Sequence, residues 1–386
     1  MTQRVPLTEV RDLMAPGRPL PFPVFDGSGR LLLAAGQSIH DAQQLAALLE
    51  RGACVEMAVA NEVRAARAAA AAGGGGLAPS ARRRTWFDEL DRQTWALEDV
   101  LRQLGKGLDV APRLEAFADG YIALIERHLD AALYTCVRQH DRRFALYALT
   151  HVLHAATVVL VTTRQMGWPA DRERAAVRAA LTMNASSLEL QARMAEQTDP
   201  PTKKQLEQIR AHPHQSAQLL RDSGVTDTEW LAAVEDHHER AGGTGYPRGL
   251  AEAGEIARVV RAADVFTAKI SPRANRAPML PQQAARQLFQ DEQGGPFAAA
   301  LIKAVGIYPP GEFVKLKNGE TAIVTHRASA GGATAVVSLL AANGKPLAGA
   351  PRRDTCTAEH GIASVLQERA TLPRVLPEQV YGLLEA

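Results

Sequence analysis

Large apolar residues recur at three- and four-residue intervals through the centre of this chain, and this spacing restricts the fold more than any other sequence feature. Such intervals place apolar side chains on one face of an α-helix. In the first segment they are Trp86, Leu90, Leu97, Val100, Leu101 and Leu104. Later segments of this kind, divided by Gly, Pro or Asp, are 112–138, 142–167, 171–194, 203–222, 227–239, 253–270 and 281–305. The sequence therefore predicts an all-α centre.

The residues before this centre follow a different pattern. The run Asp26-Gly27-Ser28-Gly29 is typical of a turn between two short apolar strands. A helix with Leu45, Leu48 and Leu49 on its apolar face should follow and end near Gly52, where a C-terminal cap is expected. Residues 1–63 are therefore predicted to form a small α+β module.

Composition marks two further boundaries. Residues 64–84 combine an Ala run, four consecutive glycines and a basic cluster, a composition that predicts a flexible linker. After residue 307 the pattern alternates, and the Asn-Gly pairs at 318–319 and 343–344 indicate hairpins. We therefore expect a helical domain over 85–307 and a β-rich C-terminal extension over 308–386.

Charge and cysteine content exclude several classes of protein. Lys plus Arg (44) nearly balance Asp plus Glu (42), so no surface for long nucleic acids is expected, although a small anionic ligand fits. Cys54, Cys136 and Cys356 lie far apart, which argues against a disulfide framework and a thiolate zinc site. No signal segment or membrane span is apparent, so we expect a cytoplasmic protein.

Adjacent histidines at the end of one predicted helix carry the strongest chemical signal. His237 and His238 begin the run HHERAGGTGYPRGL. Successive helical side chains point about 100° apart, so the two imidazoles suit neighbouring metal ions better than one tight chelate. The glycines that follow allow backbone amides to approach a phosphate or a partner surface closely.

This run resembles the HHE-x-x-D-G-x-G-Y-P-x-G-L signature of the HD-GYP family, a branch of the HD metal-dependent phosphohydrolases. The resemblance implies a mainly α, HD-GYP-type helical bundle between the N-terminal module and the β-rich tail. It also implies iron or manganese ions that activate water to cleave cyclic di-GMP. Family spacing assigns the metal-ligand positions to His151, His212, His237, His238 and Asp264.

The resemblance fails at the residues that name the family. Its metal-binding His is Met183, its bridging Asp is Asn184 and its phosphate-contacting Lys is Ser187. Further acids are also replaced, by Tyr147, Gly242 and Thr267. A bridging carboxylate neutralises part of the charge of two cations, whereas an amide offers only a dipole. The catalytic residues are therefore unknown, and we expect at most one divalent metal, iron or manganese by the resemblance.

The candidate ligand-binding residues are those of the glycine loop and a later basic segment: Gly243, Gly245, Tyr246, Pro247, Arg273 and Arg276. Tyr246 is expected to be exposed, as recognition residues often are. Arginine forks can bind phosphates, and the last two residues resemble the family's R-P-Y-R segment. In the family, the loop is linked to substrate access and to diguanylate cyclase domains.

Three functional hypotheses follow. The first is a cyclic di-GMP signalling protein with impaired catalysis, a pseudo-phosphodiesterase that binds cyclic di-GMP or a related small nucleotide, or a signalling partner. The second is an active phosphodiesterase whose non-standard metal centre uses Asn184, Glu189 or another nearby group. The third is action on another phosphorylated small molecule through the same fold. The sequence leaves the oligomeric state open, a homodimer included.

Overall fold

A computed structural model describes residues 3–14, 20–33, 35, 37, 39, 42–72, 85–139, 144–328, 333–366, 372, 375–382 and 384. The chain divides into two compact units. The first comprises residues 1–99, 141–147 and 383–386, and the second comprises 100–140 and 148–382. Among the described residues, no helix combines the length and apolar character that crossing a membrane requires.

The first unit contains the predicted small α+β elements and also most of α3, a helix that the sequence prediction assigned to the helical domain over 85–307. Its elements are β1 (Arg4–Pro6), a 3₁₀ helix (Leu7–Leu13), β2 (Val24–Phe25), β3 (Leu31–Leu33), α1 (Ala42–Glu50), β4 (Cys54–Glu56), α2 (Met57–Ala72) and most of α3 (Trp86–Leu101). The antiparallel sheet has the order β1-β4-β2-β3. Asp26 closes the β2–β3 turn, because its carboxylate accepts the backbone N–H groups of Ser28 and Arg30, each at 2.9 Å.

Helix α2 extends into the segment that composition assigns to a linker. It continues to Ala72, so residues 64–72 are helical. Alanine has the highest helix propensity, so the Ala run continues α2 although the composition of this segment is typical of a linker. The remainder of the predicted linker, residues 73–84, lies outside the described residues.

The second unit confirms the all-α centre. Its helices after α3 are α4 (Ala111–Arg127), α5 (Leu129–Val137), α6 (Tyr147–Gln165), α7 (Ala170–Thr182), α8 (Leu188–Glu196), α9 (Lys203–Arg221), α10 (Thr228–Asp236), α11 (Glu255–Ile270), α12 (Pro281–Asp291) and α13 (Pro296–Val305). Two predicted segments are interrupted. The first, 112–138, breaks at His128, which has non-helical dihedral angles. The second, 171–194, breaks at residues 183–187, where the name-giving motif of the family should stand.

Buried contacts fix the helices that carry the candidate site. The fully buried Trp230 of α10 donates its Nε1–H to Thr182 Oγ1 at 2.9 Å, which joins α10 to the end of α7. Asp227 caps the N-terminus of α10, because its carboxylate accepts the backbone N–H groups of Glu229 and Trp230. The Trp230–Thr182 hydrogen bond thus holds the end of α7 against the first turn of α10.

The C-terminal tail is β-rich, as predicted. Its strands are β5 (Phe313–Leu316), β6 (Thr321–His326), β7 (Ala335–Leu340), β8 (Arg352–Asp354) and β9 (Ile362–Val365), followed by the short helix α14 (Pro377–Tyr381). All neighbours are antiparallel, in the order β8-β7-β6-β5-β9. Gly319 and Gly344 of the two predicted Asn-Gly turns both have positive φ angles, of 84° and 80°.

The tail shares a core with the helices of its unit. Tyr134 of α5 lies in one hydrophobic cluster with Phe313 of β5 and Val380 of α14. Arg327 donates to Asp130 of α5 at 2.6 Å, and Arg138 lies over the Phe313 ring, 4.5 Å from its centroid. The β-rich tail is therefore packed onto α5.

A pH-dependent contribution to stability is expected from the tail. Glu320 accepts hydrogen bonds from Arg353 at 2.8 and 2.9 Å and from Ser338 at 2.6 Å, and the Arg353 contact above all lowers its pKa to about 2. A depressed folded-state pKa stabilises the protein above the unfolded pKa of about 4.3, and this contribution is lost as the pH falls through the folded value. Glu320→Gln should therefore cost about 1–2 kcal/mol at pH 7 and little near pH 2.

Urea unfolding of wild type and Glu320→Gln at pH 7, 4, 3 and 2.5 measures this difference. The exposed Glu359 provides the matched control, since Glu359→Gln should leave the unfolding free energy nearly unchanged at pH 7. A Glu320→Gln difference that stays constant across this pH range would show that ionisation of Glu320 does not stabilise the tail.

Candidate metal and ligand site

The break between α7 and α8 lies beside α9. The Ser186 hydroxyl donates to the His212 carbonyl at 3.0 Å, and the Ser186 backbone N–H donates to Ser216 Oγ at 3.1 Å. Met183 and Asn184 precede it and are 0% and 3% exposed. A thioether and an amide therefore occupy the buried end of α7, where neither adds negative charge.

Three imidazoles meet beside this break, and we call them the His triad: His212 of α9, with His237 and His238 directly after α10. The Nε2 atoms of His212 and His237 lie 3.2 Å apart. The ring centroids of His237 and His238 are 4.1 Å apart. One donor atom from each ring lies within 4.8 Å of the others.

Backbone carbonyls orient two rings of the His triad. His212 Nδ1 faces the Ile209 carbonyl, and His237 Nδ1 faces the Val234 carbonyl at 2.7 Å. A carbonyl accepts only, so each neutral ring carries its proton on Nδ1 and turns an Nε2 lone pair toward the other. Ligands about 2.0–2.1 Å from a tetrahedral metal lie about 3.3 Å apart, close to the observed Nε2 separation.

Burial keeps the His triad in the protonation state that metal binding requires. Burial and the neighbouring His237 lower the pKa of His212 to about 3. Burial is also the main cause that lowers the pKa of His237 and of His238. The three rings are therefore neutral near pH 7, and neutral imidazole is the form that coordinates a metal.

A second pair adjoins the His triad. His151 of α6 contacts Asp264 of α11, with 2.8 Å between Nε2 and Oδ1, and the other Asp264 oxygen lies 3.9 Å from His238 Nδ1. Burial alone would raise the pKa of Asp264, but the hydrogen bond with His151 and the neighbouring imidazoles outweigh burial and hold this pKa below its usual value. Asp264 is therefore a carboxylate at neutral pH.

The donor set fits one divalent metal better than two. The His triad supplies three neutral nitrogen ligands, and Asp264 supplies the one carboxylate among the residues that the family resemblance selects. The Thr267 hydroxyl lies 3.5 Å from His151 Nδ1 and donates to the Ala263 carbonyl at 2.7 Å, so it adds no charge. Two divalent cations would face a single formal negative charge here.

A buried carboxylate organises the glycine loop, residues 240–250. Glu239 is 1% exposed, and it accepts the backbone N–H groups of Arg248 at 2.6 Å and of Gly249 and Leu250 at 3.0 Å. Asp236 accepts from the Arg248 guanidinium at 3.0 and 2.6 Å. The two acids thus hold the far end of the loop against the end of α10.

The glycine loop folds back over the His triad. A Cβ at Gly245 would lie 2.4 Å from Glu239 Cα, so only glycine allows this approach. Tyr246 contacts His238 in two ways: its backbone N–H donates to the His238 carbonyl at 3.3 Å, and its ring stacks on the His238 ring with centroids 4.7 Å apart. The expectation that Tyr246 is exposed was wrong, since the stacking leaves it half-buried.

The basic segment after α11 forms a tight turn. The backbone N–H of Arg273 donates to the Arg276 carbonyl at 3.1 Å, and that of Arg276 donates to the Arg273 carbonyl at 3.2 Å. Arg276 also donates to the Ala268 carbonyl, and its side chain is exposed. A role of Arg273 and Arg276 in ligand binding stays a prediction.

The sequence predicted no role for two residues that the structure places near the site. Glu239 lies within the signature run, but its function depends on a fold that returns residues 248–250 to it. Arg261 is 5% exposed on α11, where its Nε donates to Glu292 at 2.9 Å. A charged residue within an otherwise apolar helical face was the signal that could have identified Arg261.

Comparisons with known proteins identify a family match and two similar proteins. Residues 122–295 match the family described as HD domain. Over 229 residues, 58% of this chain and 54% of the relative, the sequence is 28% identical to cyclic di-GMP phosphodiesterase PA4108 of Pseudomonas aeruginosa. The chain thus spans about half the length of that curated relative. Bd1817, a HDG"Y"P protein from Bdellovibrio bacteriovorus, aligns with a TM-score of 0.49 and 16% identity over 78% of this chain and 98% of its own.

Removal of the buried carboxylate should loosen the glycine loop. In Glu239→Ala, the amides of Arg248, Gly249 and Leu250 lose their acceptor, so their hydrogen exchange should accelerate about 10- to 100-fold, as expected for hydrogen bonds to a charged group. Glu235→Ala, near the end of α10, is the control, because Glu235 accepts from the His214 side chain instead. Unchanged exchange at residues 248–250 in Glu239→Ala would refute this anchoring role.

Proposed function

We propose that this chain, which belongs to the HD-GYP family of HD domains, binds cyclic di-GMP or a related small nucleotide without cleaving it. The composition of the centre carries the proposal, because three neutral imidazoles and one carboxylate lie beside a buried thioether and amide. The name of PA4108, a cyclic di-GMP phosphodiesterase, supports the choice of ligand.

Hydrolysis of a phosphodiester at such a centre needs an activated water. A pair of divalent metals supplies it in two-metal hydrolases by lowering the pKa of bound water and stabilising the attacking and leaving oxygens. Asn184 cannot balance the charge of a metal pair as a carboxylate would. Ser187 also lacks a cation for a phosphate, and its hydroxyl accepts from Gln191 at 3.0 Å.

The groups that remain suit binding. The His triad would hold a single divalent metal, iron or manganese in line with the family resemblance, with His151 and Asp264 beside it. Tyr246 and the glycines at 243 and 245 would contact the ligand from the loop, and Arg273 and Arg276 would contact its phosphates. These residues can bind an anionic nucleotide without a catalytic water.

The exposed tip of the glycine loop is the proposed site of partner binding. Pro247, Arg248 and Gly249 are exposed at the tip of the glycine loop, which Glu239 and Asp236 keep in one conformation. A rigid exposed loop favours docking, because little conformational freedom is lost on binding. Diguanylate cyclase-type or other signalling proteins are the proposed partners, and the proposed compartment is the cytoplasm, where this ligand would be encountered.

An active phosphodiesterase with a non-standard centre is the alternative, and the retained cluster of four histidines and Asp264 favours it. Asn184 is 3% exposed in the break between α7 and α8, and its amide oxygen is a possible further ligand in this alternative. Glu189 supports the alternative poorly, since its side chain is 93% exposed and lies 3.6 Å from Arg193 one turn along α8.

Binding without turnover is the expected behaviour of the purified protein. Isothermal titration with cyclic di-GMP should show saturable binding, and chromatography of the same sample should show intact nucleotide with iron or manganese present. Tyr246→Ala should weaken binding about tenfold or more, as expected for loss of an aromatic stacking surface. Phe289→Ala, an exposed aromatic on α12, is the control. Metal-dependent hydrolysis that His237→Ala abolishes would contradict the proposal.

Restoring the missing groups should restore chemistry. Met183→His combined with Asn184→Asp and Ser187→Lys returns the imidazole, the bridging carboxylate and the cation, so cyclic di-GMP hydrolysis should appear where the parent shows none. Met183→Leu with Asn184→Ser provides a control for disturbed packing. A parent protein that is already as active as the restored variant would refute the role assigned to these positions.

A further inference from the structure

A buried cation lies on the helix that carries Asp264. Arg261 of α11 is 5% exposed, and its Nε donates to Glu292 Oε1 at 2.9 Å. A guanidinium stays protonated in proteins, so this position holds a fixed positive charge. Within the described residues the bond to Glu292 uses one edge of the fork, which leaves the Nη groups able to donate to a further acceptor.

Arg261 lies one helical turn before Asp264 on α11. Residues three apart on a helix have Cβ atoms about 5–6 Å apart on the same face, so Arg261 adjoins Asp264, which contacts His151 and lies near His238. Burial is the main cause of the lowered pKa of His238, and the charge of Arg261 lowers it further. The same charge acts on His237 and Tyr246.

A fixed cation on the same helix as Asp264, one turn away, changes which ions the site prefers. It repels a divalent metal that approaches the His triad and attracts an anion, and both effects are strong away from bulk water. Glu292 lies directly after α12 with its side chain 22% exposed, so it meets solvent more than Arg261 does and offsets only part of the charge toward the site.

We infer that Arg261 is an anion-binding residue whose guanidinium, fixed beside the His triad, contacts a ligand phosphate and opposes divalent-metal binding. The nucleotide part of this inference rests on the proposed function. The metal part does not, since it concerns only the charge beside three imidazoles. Arg261 thus takes over, at a different position, part of the positive charge that a metal pair would supply.

Two titrations test the inference on the full chain. Chelator-treated wild type, Arg261→Met and Arg261→Lys are titrated with Co²⁺, followed by its visible absorption, and separately with cyclic di-GMP by calorimetry. Arg261→Met should bind Co²⁺ about tenfold more tightly and cyclic di-GMP about tenfold more weakly, a change of about 1.4 kcal/mol in each case. Arg261→Lys should keep the wild-type Co²⁺ affinity because it keeps the charge.

Arg258 is the matched control. It lies one turn earlier on α11 and pairs with the exposed Glu252, so Arg258→Met should change neither titration. Opposite shifts for the two ligands cannot arise from partial unfolding, which would weaken both. An unchanged Co²⁺ affinity in Arg261→Met would overturn the inference, as would tighter Co²⁺ binding by Arg261→Lys.

Binding of cyclic di-GMP by the chain and anion binding by Arg261 are tested separately. If wild type does not bind cyclic di-GMP, the proposed function fails, and inorganic pyrophosphate replaces the nucleotide as the anionic probe. Weaker pyrophosphate binding by Arg261→Met would then still support the anion-binding role. Equal pyrophosphate affinity in wild type and Arg261→Met would overturn it.

Discussion

The contact between His151 and Asp264 is the interaction on which the rest of the site depends. It joins α6 to α11 with 2.8 Å between Nε2 and Oδ1, and it places a buried carboxylate beside the His triad. Because burial penalises an isolated charge, Asp264 can stay ionised only while the imidazoles and their neighbours stabilise it. One negative charge balanced in this way leaves little capacity for a second divalent cation.

The glycine loop shows why recognition can persist where catalysis is weakened. Its conformation depends on Glu239, on the ion pair between Asp236 and Arg248, and on the stacking of Tyr246 on His238. None of these contacts involves Met183 or Asn184. Substitutions at the end of α7 can therefore remove metal ligands without disturbing the surface that a ligand or a partner would meet.

Much of the fold followed from local pattern. Helical spacing predicted the centre, the Asn-Gly pairs predicted the turns of the C-terminal sheet, and family spacing selected five residues that the structure brings together. Local pattern failed where distant contacts decide the outcome. Residues 171–194 keep a helical pattern across residues 183–187, but Ser186 forms hydrogen bonds with α9 and the helix breaks there.

The same limit applies within the site. A glycine-rich run predicts a turn, yet the burial of Tyr246 requires the position of His238, and the function of Glu239 requires the return of residues 248–250. The charge of Arg261 was visible in the sequence, but its proximity to Asp264 mattered only once α11 was known to border the His triad. Residue types were predictable, whereas their mutual distances were not.

Metal content per chain tests the central claim most directly. Protein purified anaerobically with iron or manganese supplied is examined by elemental analysis, and the amount of metal is divided by the amount of protein. A centre with three neutral imidazoles and a single carboxylate predicts no more than one transition-metal ion per chain. Two ions per chain, lost together in His237→Ala, would contradict it.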